Sequence, residues 1–165
     1  MDKINVSGFE KLSKEEKYKA ILPQIVSLVK DEKNRIANLS NIVAVLKNSF
    51  EHYLWVGFYF IDSVDKTELV IGPYQGNVAC TRLKAGKGVC WASVMKKESI
   101  VVENVNDFPR HIACDTNSKS EIVIPVVKND EVVAVLDVDS DKISAFDDTD
   151  KKYLKELINE IKYIF

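Results

Sequence analysis

The sequence predicts an α+β domain in which a central antiparallel sheet is covered by N-terminal and C-terminal helices. Three observations carry this. Apolar residues recur at helical spacing near both ends, the middle of the chain holds short β-branched and aromatic runs, and polar turns of hairpin length join those runs. With 165 residues, 46% of them hydrophobic, the chain is long enough for one domain with a core and too short for two.

The N-terminal helices span about 13–50. Ser13-Lys14-Glu15-Glu16 fits a capping box, and Tyr18, Ile21, Leu22, Ile25, Leu28 and Val29 follow at helical spacing. Pro23 lies inside this helix, where its missing amide is expected to kink or interrupt it. A second helix is expected from about residue 31 to 50, with Ile36, Leu39, Ile42, Val43 and Leu46 buried. The sheet and its loops take about 53–140. Residues 53–61 and 68–71 read as a hairpin, Gly72-Pro73-Tyr74-Gln75-Gly76 breaks regularity, and 80–83 is a short extended piece. Ala85-Gly86-Lys87-Gly88 turns the chain into a helix over 89–96, with Cys90 in its first turn. A short strand over 99–103 leads to a loop over 104–119, long enough to suggest function. Residues 121–127 and 132–138 form a second hairpin, and Asp147 or Asp148 caps a last helix over about 148–164.

Composition excludes several functions. A formal charge of −2 and no long Lys/Arg block argue against nucleic acid. No stretch of about 18 apolar residues offers a membrane span, and residues 1–10 lack an apolar segment behind a basic start. A soluble, unexported, cytoplasmic protein is expected, with Cys80, Cys90 and Cys114 resting as thiols in a reducing cytosol and a transient, catalytic disulfide left open.

The chemistry gathers at His111-Ile112-Ala113-Cys114-Asp115, with Glu121 seven residues past the cysteine and then Asp137-Val138-Asp139. Side chains alternate along a strand, so Asp137 and Asp139 share one face. Partial desolvation and mutual repulsion at that strand end would let one of them keep a proton near neutral pH, which makes a general acid. With Glu121 on the neighbouring strand, the three acids can also cage an ammonium group. The competing reading is solvated turn acids beside a cysteine packed as a small hydrophobe. Zinc is not suggested, because the spacing Cys80-x9-Cys90-x23-Cys114 contains no Cys-x2-Cys knuckle. His111 lies too close to Cys114 in sequence to suggest a papain-like base and reads as a loop residue. Trp55 and Tyr59, four apart on a strand, share a face, with Gly57 leaving room above the sheet. Aromatic walls suit a sulfoxide methyl group.

Taken together, Trp55-Val56-Gly57-Phe58-Tyr59, Gly72-Pro73-Tyr74-Gln75-Gly76, Gly86-Lys87-Gly88-Val89-Cys90, His111-Ile112-Ala113-Cys114-Asp115 and Leu136-Asp137-Val138-Asp139-Ser140 resemble the free methionine-(R)-sulfoxide reductases, which are built on the GAF domain. The resemblance covers nearly the whole chain. It implies that Cys114 is the thiolate that attacks the sulfoxide, with Cys80 the main resolving thiol and Cys90 a second candidate. It implies that Glu121, Asp137 and Asp139 hold the substrate ammonium and assist protonation of the oxygen, while Trp55 and Tyr59 wall the methyl group. Ala113 and Asp115 join them in binding substrate. The implied reaction needs no bound cofactor or metal, uses thioredoxin as external electron donor, and takes place in a homodimer. The competing class is a GAF sensor that binds a small ligand without turning it over.

Overall fold

Alternation along one strand sets the architecture. The computed structural model describes residues 4–112 and 114–165. In β6 (Glu131–Ser140), Ala134, Leu136 and Val138 enter one apolar cluster, whereas Val135 enters another on the opposite side of the sheet together with Trp55 and Tyr59. The other strands are β1 (Trp55–Ile61), β2 (Glu68–Gln75), β3 (Arg82–Lys84), β4 (Ile100–Val102) and β5 (Ser120–Lys128). All neighbours pair antiparallel, in the order β3-β2-β1-β6-β5-β4. The first face is covered by α1 (Lys14–Val29), α2 (Arg35–Ser49) and α4 (Asp148–Ile161). The second face meets α3 (Gly88–Lys96), whose Val89, Cys90 and Trp91 pack there beside the long loops. The expected α+β class, with a sheet covered by the terminal helices, is the observed one.

The helices start where their caps allow. Ser13 and Glu16 form the capping box of α1, and Asp147 with Asp150 forms that of α4. α1 and α4 are tied through buried polar groups. Lys14 Nζ donates to Asp150 Oδ2 at 2.5 Å, Tyr18 donates to Asp150 Oδ1 at 2.8 Å, and the Tyr53 hydroxyl lies 2.5 Å from that of Tyr18. Nothing in the spacing of the sequence pointed to this network.

Four expectations need correction. Pro23 does not interrupt α1, which runs through it; Pro23 is exposed, so the carbonyl it leaves unpaired one turn earlier can turn to water. The second helix begins at Arg35, four residues later than expected, because the Asn34 side chain accepts from the Ala37 amide and fixes the start there. Ile36, in that first turn, is consequently 65% exposed and not in the core. Residues 72–75 do not break regularity but continue β2. Gly72 and Pro73 stand opposite Phe58 alone, a bulge that absorbs the extra residue, and β3 reaches only as far as Val70, so Pro73 has no ladder partner to deprive on that side.

Candidate active site

The acids are brought together by the β5–β6 hairpin. Asn129 and Asp130 both take positive φ, 52° and 62°, as a two-residue hairpin loop needs, and pairing runs from Lys128 opposite Glu131 to Glu121 opposite Asp139, with one bulge near the turn. Asp137 lies two residues along from Asp139 and faces the same way, away from α1, α2 and α4. From the other side of this space comes the first turn of α3, which supplies Cys90. The Cys90 sulfur and carboxylate oxygens of Glu121 and Asp137 all lie within 4.8 Å of one another. All three residues are buried, and Asp137 Oδ1 is an interior oxygen without a hydrogen-bond partner.

Desolvation sets the charge state here. Burial pushes the Asp137 carboxyl well above the usual range, and the charge of Glu121 adds to the effect. Glu121 is raised by burial and then by Asp139, and Asp139 by burial and then by Asp137. Burial also raises the Cys90 thiol, with Asp137 and Glu121 contributing. Among the described residues no lysine or arginine pairs with these acids; His111 comes near them, its Nε2 3.5 Å from Glu121 Oε2. Burial lowers the His111 pKa, which favours the neutral imidazole. His111, read from the sequence as a loop residue, thus lines the chamber. Its place three residues before Cys114 was the available signal.

The wall is aromatic. Trp55 and Tyr59 stack with centroids 5.9 Å apart, and Tyr74 stacks on Trp55 at 5.3 Å. The space above Gly57 is not left open, as the sequence suggested: the Trp55 ring fills it, and an added Cβ would lie 2.3 Å from Trp55 Cη2. Both aromatics also hold the Cys80 loop by its backbone. Tyr59 donates to the Cys80 carbonyl at 2.9 Å and Trp55 Nε1 to the Asn77 carbonyl at 3.2 Å. That loop meets the segment before β5, where Asn77 Nδ2 donates to Asp115 Oδ2 at 2.9 Å and Cys80 is disulfide-bonded to Cys114, with Cα atoms 5.4 Å apart. Cys90 is left as the free thiol, so this state holds a disulfide in place of the three resting thiols expected in a reducing cytosol, the alternative that the sequence leaves open. Ala113 lies outside the described residues. Asp115, with its pKa lowered by the Asn117 amide and then by Asn77, acts here as a tie between loops and also lines the chamber. The partly open cavity lined by Cys114, Cys90 and the three acids measures about 40 Å³, room for a few waters.

A family profile described as GAF domain matches residues 39–163. A protein of Dictyostelium discoideum named GAF domain-containing protein A is 49% identical over 146 residues, covering 88% of this chain and 90% of that one. The free methionine-R-sulfoxide reductase of Saccharomyces cerevisiae is 37% identical over 161 residues, covering 94% and 88%. The structure of the Neisseria meningitidis free methionine-R-sulfoxide reductase in complex with its substrate superposes with a TM-score of 0.94 at 42% identity, over 100% of this chain and 96% of that one. This chain belongs to the GAF-domain free methionine-R-sulfoxide reductases. It is therefore an oxidoreductase, which sets aside the sensor that binds without turnover. No helix of the enzyme among the described residues is long and apolar enough to cross a membrane.

Proposed function

We propose that the enzyme reduces free methionine-(R)-sulfoxide to methionine through a cysteine cycle recycled by thioredoxin in a reducing cytoplasm. The observation that carries this reading is the Cys80–Cys114 disulfide at a chamber lined by three carboxyl groups and by Trp55 and Tyr59. Once the disulfide is reduced, the Cys114 thiolate attacks the sulfoxide sulfur. The oxygen leaves sulfur only as it is protonated, and Asp139 is the donor. Asp139 is less buried than Asp137, stands at the strand end near the Cys114 loop, and has a pKa raised by burial and by Asp137. Methionine departs and Cys114 is left as a sulfenic acid. The Cys80 thiol condenses with it, forming the disulfide and releasing water, and an external dithiol then restores both thiols by exchange.

Glu121 and Asp137 serve the substrate ammonium. A free amino acid carries that charge and a peptide-linked residue does not, so any other ligand leaves buried carboxyl groups unpaired. NADPH oxidation coupled through thioredoxin and its reductase tests this, with free (R)-sulfoxide, free (S)-sulfoxide and N-acetylated (R)-sulfoxide offered side by side. Turnover of the free (R) form alone is expected. Equal turnover of the acetylated form would remove the ammonium argument, and turnover of none, with dithiothreitol also failing, would remove the reading.

A further inference from the structure

The buried triad of Cys90, Glu121 and Asp137 offers more than a receptor for one ammonium. Three acidic groups from three elements, α3, β5 and β6, converge with no lysine or arginine paired to them among the described residues, and one oxygen of the Asp137 carboxyl, Oδ1, is buried without a hydrogen-bond partner. An unpaired acceptor in the interior costs free energy comparable to a lost hydrogen bond. Ligand chemistry narrows what could satisfy it. One thiol with two carboxyl groups is not a calcium or magnesium set, since hard cations take oxygen alone; it suits a borderline divalent cation of the zinc class.

Distance agrees. Zinc bonds of about 2.3 Å to sulfur and about 2.0–2.2 Å to oxygen hold tetrahedral ligands about 3.3–3.7 Å apart. The three ligand atoms already lie within 4.8 Å of one another, so contraction of about 1 Å on side-chain rotation closes the set. The 40 Å³ of the chamber that Cys90, Glu121 and Asp137 line accommodates a desolvated cation with a water in the fourth position. Contiguity of sequence plays no part, which is why cysteine spacing gave no sign of it.

The geometry points to a zinc-class cation site formed by Cys90, Glu121 and Asp137 at the floor of the chamber. On binding, the Cys90 S–H and any protonated carboxyl release their protons to solvent as the metal bonds form, with no change of oxidation state. Occupancy takes Glu121 and Asp137 away from the substrate, so the cation excludes the sulfoxide. That last consequence rests on the ammonium assignment above, whereas the site itself does not.

The test uses the disulfide form, where Cys90 is the free thiol and the other two cysteines cannot supply a thiolate. Cobalt(II) added to the oxidised enzyme is expected to give a near-ultraviolet thiolate-to-cobalt charge-transfer band that saturates at one ion per chain. Zinc should displace it. Cys90→Ser should abolish the band, and Asp137→Asn should weaken zinc binding in calorimetry by at least about tenfold. Far-ultraviolet circular dichroism establishes that each variant is folded. Absence of the band in wild-type enzyme, its persistence in folded Cys90→Ser, or unchanged zinc affinity in folded Asp137→Asn would each overturn the site. None of these readouts involves turnover, so they stand apart from the fate of the proposed reaction.

Discussion

Cys114 and Cys80 are bonded to each other, but the cycle asks different things of them. Cys114→Ser should release no methionine even in a single turnover. Cys80→Ser should release one equivalent per chain and then stall, its steady rate down by at least about a hundredfold, as rapid-quench analysis of product would read. Full-speed cycling by Cys80→Ser would transfer the resolving role to Cys90. Asp137 makes a second prediction, in stability. Its folded pKa is raised by burial and by Glu121, so between the ordinary carboxyl range and that raised value the folded chain holds a proton that the unfolded chain has released. Stability therefore falls as pH climbs through that window. Asp137→Asn has no proton to lose. Denaturant melts should find it about 1–2 kcal/mol more stable than wild type at pH 8, with the gap closing toward pH 4, while turnover drops. A variant less stable than wild type at pH 8 would contradict the desolvation account.

Strand β1 carries the chamber wall on its outward positions, and Gly57 makes that wall possible. In Gly57→Ala the new Cβ would meet Trp55 Cη2 at 2.3 Å and Tyr74 Cβ at 2.5 Å. Tyr74 Cβ is fixed to the backbone of β2, so β1 and β2 must part locally in addition to a shift of the Trp55 ring. Expected costs are about 1–3 kcal/mol of stability and a raised KM, readable by thermal melts and by initial rates. Much at this level was legible in the sequence. The two-residue period of β6 assigned Asp137 and Asp139 to one face, and the short turn after β5 put Glu121 beside them. The cap of α2 was not legible, because Asp31 and Asn34 are both good caps and only the turn between them chooses. The bulge at Gly72-Pro73 was hidden for a related reason: a proline in a strand reads as a break unless one knows that the neighbouring strand stops short of it. The closeness of His111 to Glu121, and of Cys90 to both acids, depends on where a loop and a helix dock on the sheet, which local pattern does not encode.

Across the molecule, the Cys80–Cys114 bond closes a segment that contains β3, α3 and β4 with a sequence separation of 34. A closed loop of that size restricts the unfolded chain enough for the oxidised enzyme to exceed the reduced one by about 3–4 kcal/mol. Chemical denaturation of the two forms measures this directly; equal midpoints would mean that the reduced chain unfolds from a state already as confined. The sheet has a different consequence, one for inheritance. Because its helix-covered face holds the larger apolar cluster and its other face holds the chamber, neighbouring letters of the β6 coding sequence answer to different demands. A saturation scan should divide with a period of two: at Ala134, Leu136 and Val138 damage appears as missing protein, at Asp137 and Asp139 as protein present in full amount and idle. Selection for yield and selection for turnover can therefore act on adjacent codons almost independently, and a lineage could retune the chamber without rebuilding the fold that carries it.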